Sequence, residues 1–152
     1  MRTPQPGVSI RPVDGPSEYA RLVEIWRSAV RATHDFLADE DFTRIESNLA
    51  SSYFPAVSLV VAERDGRLIG FAGAGDGNLE MLFVSDEARG TGVGTLLLED
   101  VIKRFAVTRV DVNEQNAGAH GFYGSRGFTQ TGRSELDGDG RPYPVLHLEL
   151  NR

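Results

Sequence analysis

The chain has 152 residues, and its 22 acidic and 16 basic residues give a net charge of −6. This balance argues against nucleic-acid binding, which requires a basic surface. The absence of cysteine excludes disulfides, thiolate metal ligands and a cysteine acyl-enzyme. No stretch approaches the length of an apolar transmembrane helix and no apolar secretory segment is visible, so we expect a cytoplasmic protein that binds no membrane. The length favours a single domain over residues 1–152.

Hydropathy patterns predict a strand and two helices in the first third of the chain. Alternation predicts a strand over Val8–Val13, and turn-forming residues at 14–17 precede a helix that extends to about Ala32. Acidic residues in the first turn and an apolar face favour a second helix over Asp39–Tyr53. Pro55 closes this region.

The centre and the end of the chain predict a sheet. Three central strands are expected over Ser58–Glu63, Leu68–Ala74 and Leu79–Val84. The rest predicts a helix over Gly92–Arg104, a strand over Val107–Val112, a helix over Asn116–Arg126, and strands over Phe128–Gly132 and Val145–Leu150. This order indicates a mixed α/β sheet with helices on its faces and argues against a doubly wound parallel sheet.

A glycine-rich loop joins the third central strand to the following helix. Gly90, Gly92 and Gly94 alternate there, and the first amides of a helix are a binding site for phosphate. A P-loop would need a lysine after the last glycine, and a dinucleotide fingerprint would need a glycine where Thr95 stands. The remaining pattern, Arg-x-x-Gly-x-Gly beginning at Arg89, predicts a pyrophosphate-binding loop.

This loop resembles the acetyl-CoA loop of the GNAT N-acetyltransferases. A second signature of that family, Asn-x-x-Ala-x-x-Phe-Tyr-x-x-x-Gly-Phe, agrees at every fixed position with residues 116–128. The segments 31–37 and 141–144 further resemble a small bacterial subgroup that acetylates peptidyl lysine or small amines. The resemblance covers nearly the whole chain and implies a mostly antiparallel sheet with one splayed parallel pair. One departure is Ser85-Asp86, where a proline is common.

The resemblance also implies a co-substrate and the residues that bind it. It implies acetyl-CoA, no metal, and direct transfer of the acetyl group to a primary amine in a ternary complex. The backbone of Phe83 and Val84 would bind pantetheine and the acetyl carbonyl, and Asn113 and Asn116 would contact the pantetheine side. Arg89 and the loop amides would hold the pyrophosphate. These amides belong to Gly90, Thr91, Gly92, Val93, Gly94 and Thr95.

Four side chains are candidates for the chemistry and for acceptor binding. The resemblance implies that Tyr123 protonates the leaving thiolate, whereas its helical spacing alone would suit a core tyrosine. Glu80 would deprotonate the amine, although alone it is an exposed strand carboxylate. His34 and Asp35 would line the acceptor wall, or cap the end of the first helix.

The sequence leaves the acceptor and the assembly state open. A protein lysine, a small cationic amine or an antibiotic would each suit the negative charge, and the protein is expected to be a monomer or a homodimer. A non-catalytic acyl-CoA sensor on the same fold is the alternative from another class, and the presence of Tyr123 argues against it. The three histidines lie in different elements and predict no metal site. His120 is expected at the surface, His147 on a strand face and Trp26 in the core.

Overall fold

A computed structural model describes residues 7–33 and 37–151. The strands of this part are β1 (Val8–Pro12), β2 (Ser58–Arg64), β3 (Arg67–Gly75), β4 (Asn78–Val84), β5 (Arg109–Asn113), β6 (Phe128–Ser134) and β7 (Val145–Leu150). Its α-helices are α1 (Tyr19–Thr33), α2 (Asp39–Asn48), α3 (Val93–Phe105) and α4 (Ala117–Gly124). The predicted order of elements is therefore confirmed.

The strands form a seven-stranded sheet in the order β1-β2-β3-β4-β5-β7-β6. All neighbours are antiparallel except β4 and β5, which are parallel. This arrangement confirms the mixed sheet with one parallel pair. Buried side chains cover both faces, since α3 and α4 pack on one cluster and α1 packs on the other.

Several element boundaries differ from the predicted ones, and two of these differences follow from contacts in the fold. The helix expected to reach Tyr53 ends at Asn48 and continues as one π-helical turn, Leu49–Tyr53. This turn is followed by a short 3₁₀ turn, and Leu49 and Phe54 are both buried against the sheet. Packing of these two side chains accounts for the change in helical geometry. The strand expected from Val107 begins only at Arg109, because the amides of Thr108 and Arg109 both donate to the carbonyl of Gly77.

The parallel pair separates after two residues. Only Asn78 and Leu79 of β4 pair with β5. The register between β3 and β4 then skips Glu80, which is a β-bulge. The bulge reverses the alternation of side chains, since Leu79 packs on the α3 face and Met81 on the α1 face. A bulge bends and twists its strand, so this one lies where a slot opens between β4 and β5.

Candidate active site

The loop before α3 presents backbone amides towards an open cavity. Gly90 has a φ of 75° and Gly92 a φ of 90°, in the left-handed region that favours glycine. Gly92 is the N-cap of α3, and no side chain caps this helix start. A cavity of about 340 Å³, here called the loop cavity, lies against the loop. Its position at an uncapped helix N-terminus suits a phosphate group.

Two arginines line the loop cavity. Arg89, which was predicted, is half-exposed and pairs with Asp86 at 3.3 Å. Arg126, which sequence reasoning missed, lies 3.8 Å over the ring of Phe122. Its guanidinium also donates to Thr95 Oγ1 at 2.8 and 3.0 Å. Arg126 occupies a variable position of the second signature, so the motif gave no sign of it.

Beyond the loop cavity, a groove and a slot continue between β4, β5 and α4. The groove has a volume of about 290 Å³ and shares Val84, Arg89 and Gly94 with the loop cavity. The slot has about 120 Å³ and shares Phe83 and Tyr123 with the groove. Because β4 has lost its pairing with β5 here, its backbone can hydrogen-bond to an extended ligand.

The two predicted asparagines line the slot, and both also stabilise local backbone. Asn116 is the N-cap of α4, where its Oδ1 accepts from the amide of Ala119 at 3.0 Å. Asn113 Oδ1 accepts from the amide of Gln115 at 2.9 Å. These caps matter because α4 contains glycines at 118, 121 and 124, which weaken an isolated helix.

Tyr123 lies where the groove and the slot meet. Its side chain is 7% exposed and packs edge-on against Phe122 and Phe128. Its hydroxyl makes no hydrogen bond to any described residue. Burial raises the pKa of this phenol above its ordinary value, because a phenolate would lose its hydration. Tyr123 is thus protonated at neutral pH.

A second, larger cavity opens on the other side of the slot, facing α1 and α2. This apolar cavity has a volume of about 420 Å³. Its walls include Trp26, Val30, Ile45, Leu49, Met81 and Phe83, and its polar lining includes Glu80, Asn113, Asp137 and Tyr143. Trp26 is buried as predicted, and it also forms part of the cavity wall.

Glu80 lies where the slot and the apolar cavity adjoin. This bulged residue is exposed and lines both the slot and the apolar cavity. A carboxylate there can receive a proton from a group that approaches the slot from the apolar cavity. His34 and Asp35, predicted for the acceptor wall, lie outside the described residues.

A buried carboxylate fixes the loop between β6 and β7 against α2. Asp41 is 2% exposed and accepts from the hydroxyl of Tyr143 at 2.5 Å. The guanidinium of Arg141 lies 3.0 Å from the same carboxylate, and that of Arg44 lies 3.5 Å away. These hydrogen bonds, Tyr143 foremost, lower the pKa of Asp41. Tyr143 also lines the apolar cavity, so the cluster positions part of its wall.

The two described histidines lie on a strand and at the surface. His147 is half-exposed on β7, as predicted, and contacts Asp111 Oδ1 and Ser134 Oγ at 2.7 Å each. His120 is exposed, as expected. Among residues 7–33 and 37–151, no group of three or more His, Asp or Glu side chains could hold a metal ion. The described helices include none with the length and apolar character needed to cross a membrane.

Comparison with known proteins agrees with this fold. The family model described as an acetyltransferase (GNAT) domain matches residues 28–144. The chain therefore belongs to the GNAT family of acetyltransferases.

Individual relatives and solved structures are similar along most of the chain. The peptidyl-lysine N-acetyltransferase YjaB of Escherichia coli K12 is 44% identical over 133 residues, which cover 86% of this chain and 89% of the relative. The solution structure of its apo form superposes with a TM-score of 0.84 and 40% identity, over 93% of this chain and 96% of that one. The PaiA N-acetyltransferase of Thermoplasma acidophilum, solved with coenzyme A, shares the fold at 19% identity with a TM-score of 0.73, over 95% of this chain and 99% of that one.

Proposed function

We propose that the chain transfers the acetyl group of acetyl-CoA to a primary amine, either a lysine side chain of a protein or a small amine. The observation that carries the proposal is a series of four adjoining spaces. It runs from the loop cavity through the groove and slot to the apolar cavity, and adjoining spaces share lining residues. Membership of the GNAT family and similarity to a peptidyl-lysine acetyltransferase support it.

In this proposal the loop side binds the nucleotide end of acetyl-CoA. The amides from Gly90 to Thr95, with Arg89, hold the pyrophosphate. Arg126 supplies a second positive charge beside them. The unpaired edge of β4 at Phe83 and Val84 then binds the pantetheine arm and orients the acetyl carbonyl towards the slot. Glycine fits this cradle because the phosphates must approach the backbone closely.

The chemical step requires proton transfers from the amine and to the leaving thiolate. The neutral amine nitrogen attacks the acetyl carbonyl carbon, and the carbon–sulfur bond breaks as the tetrahedral centre collapses. Tyr123 donates its phenolic proton to the departing thiolate. Glu80, directly or through water, takes a proton from the ammonium before attack, and the nitrogen loses its second proton to solvent as the acetamide forms. Tyr123 regains its proton from solvent and Glu80 releases its own, so the products are the acetamide, free CoA thiol and one proton.

The need for a base depends on the acceptor. A lysine amine has a pKa of about 10.4 and an α-amine one of about 7.7–8.0. Deprotonation near pH 7.4 therefore costs about 4 kcal/mol for lysine and under about 1 kcal/mol for an α-amine. A lysine acceptor consequently depends more strongly on Glu80.

The direct test is thiol release from acetyl-CoA in the presence of amines. The panel contains lysine peptides, polyamines, aminoglycosides and amino acids, with mass spectrometry of the products. Acetyl-CoA binding with acetylated product supports transfer, whereas binding without product for any amine would indicate a sensor. A cytoplasmic location, one domain over residues 1–152 and a monomeric or homodimeric state stay predictions.

A further inference from the structure

The apolar cavity is larger and more apolar than a passage for an ammonium group requires. Its side chains come from three directions: Trp26 and Val30 from α1, Ile45 from α2, and Met81 and Phe83 from β4. Leu49 of the π-helical turn adds a wall that is 1% exposed. At about 420 Å³, the volume lies within the range of small-molecule sites. An acceptor can therefore bury several carbon atoms beyond its amine.

The charged groups among the described residues of this cavity carry one sign. Glu80 and Asp137 are the charged side chains among its described lining residues. No described lysine, arginine or histidine lines it, so an acceptor carboxylate or phosphate would find no ion-pair partner among the described residues. Glu80 lies at the junction with the slot, which places the cationic end of the acceptor towards the thioester.

We propose that the acceptor is a primary amine attached to an apolar group that fills this cavity. The proposal deepens the acetyl-transfer function proposed above and rests on it. Burial of the apolar group in a cavity lined by Trp26, Ile45 and Met81 supplies binding free energy, while Glu80 receives the ammonium end. Two sources share this chemistry: a free aralkyl amine, and a lysine flanked by an aromatic or aliphatic residue. Polyamines and aminoglycosides, which are polar along their length, fit the cavity poorly.

The first experiment compares kcat/KM across amines of increasing apolar length. Ethylamine, butylamine and hexylamine should show a rise of about fourfold per added methylene until the cavity is filled, from the transfer free energy of a methylene. 2-Phenylethylamine should exceed ethanolamine by at least about tenfold. Peptides with Phe-Lys or Ser-Lys in an otherwise identical sequence distinguish a protein acceptor from a free amine.

A pair of variants tests whether the cavity causes the preference. Ile45→Asn places a polar group in the cavity wall, and Ile45→Ala keeps the wall apolar but shortens the side chain. Val23→Asn is the matched control, because Val23 packs on the same cluster without lining the cavity. We expect Ile45→Asn to reduce kcat/KM for 2-phenylethylamine by about tenfold and for ethylamine by less than twofold, with unchanged acetyl-CoA affinity.

The outcomes separate the two proposals. Equal kcat/KM for ethylamine, butylamine and hexylamine would overturn the apolar acceptor while leaving acetyl transfer in place. A higher kcat/KM for putrescine and aminoglycosides than for these amines would do the same. An equal effect of Ile45→Asn, Ile45→Ala and Val23→Asn on both amines would also overturn it. No acetylated product from any amine, despite acetyl-CoA binding, would instead contradict the acetyl-transfer function.

Discussion

The hydroxyl of Tyr123 is a single group on which the proposed chemistry depends. Tyr123→Phe removes a hydroxyl that has no partner among the described residues, while its packing against Phe122 and Phe128 remains. Stability and acetyl-CoA affinity should therefore be unchanged, and kcat should fall by about 10²–10⁴ because the thiolate loses its proton donor. Turnover by CoA release, calorimetry and thermal melting measure the three quantities.

The control for this variant is Tyr19→Phe. Tyr19 also packs on an aromatic ring, that of Phe54 at 5.1 Å between ring centroids, and it lines none of the four cavities. A folded Tyr123→Phe protein that binds acetyl-CoA and turns over as fast as Tyr19→Phe would show that the thiolate leaves without a proton from Tyr123.

A second prediction at the residue scale concerns Glu80, because a lysine amine and an α-amine need a base to different extents. Glu80→Gln keeps the size of the side chain and removes its basicity. At pH 7.4 kcat/KM should fall by about 10²–10⁴ for a lysine amine and by much less for an α-amine. Raising the pH should narrow the difference, since more lysine is then deprotonated in solution. Glu149→Gln, on an exposed position of β7, is the control, and equal losses for both amines would exclude a role for Glu80 in deprotonating the ammonium.

At the scale of elements, the start of α3 offers a variant with opposite effects on stability and binding. Gly94 lies inside α3, and an added Cβ would meet Phe122 at 3.5 Å, an ordinary contact. Gly94→Ala should therefore fold and gain up to about 1 kcal/mol in helix propensity. The new methyl group lies where the groove and the loop cavity meet, so acetyl-CoA affinity should fall by about tenfold or more, or about 1.4 kcal/mol.

Gly121→Ala is the matched helical glycine. An added Cβ there has nothing within 4 Å, so it should gain stability in the same way and keep its affinity for acetyl-CoA. Calorimetry and thermal melting on both variants make the comparison. Undiminished affinity in Gly94→Ala would contradict the assignment of this loop. Gly92→Val is a poorer test, because the φ of 90° at Gly92 strains any side chain there.

The elements themselves were predictable from the sequence, but their local irregularities were not. Periodicity identified α1 and α3, since each buries a regular face. The bulge at Glu80 depends on how β4 pairs with β3, and the π-helical turn after Asn48 depends on the packing of Leu49 and Phe54. Both follow from tertiary contacts, which a local pattern does not contain.

At the scale of the whole molecule, motifs predicted the loop side of the site far better than the acceptor side. Most of the loop side is contiguous in sequence from Phe83 to Thr95, so a motif describes it, whereas Arg126 comes from a later segment. The acceptor side combines α1, α2, β4 and the loop before β7. Asp41 and Arg141 are 100 residues apart in the chain, and only the fold brings them together. No periodic pattern reports such a contact, so the apolar cavity was not predicted.

The pH dependence of stability follows from several carboxylates whose pKa values are lowered by arginines or by hydrogen bonds. They are Glu18, Asp41, Glu87 and Glu114. Unfolded carboxyls titrate at about 3.9–4.3, so between that range and the lower folded values the unfolded chain binds more protons. The free energy of unfolding should therefore be constant near neutral pH and fall as the pH decreases below about 4.5.

High salt should weaken the contribution of the exposed Glu114–Arg133 pair to stability but not that of the buried carboxylate of Asp41. The Glu114–Arg133 pair is about 40% exposed on each side chain and should be screened at 1 M NaCl, where the Debye length is about 3 Å. The Asp41 side chain is 3% exposed, so its hydrogen bonds from Tyr143 and Arg141 persist in salt. In urea titrations at pH 7, 4 and 3 with 1 M NaCl, Asp41→Asn should unfold at lower urea at pH 7 and lose less stability on acidification than the parent protein. Glu114→Gln should follow the parent curve. Parallel pH curves for Asp41→Asn and the parent would show that the Asp41 cluster contributes nothing to acid sensitivity.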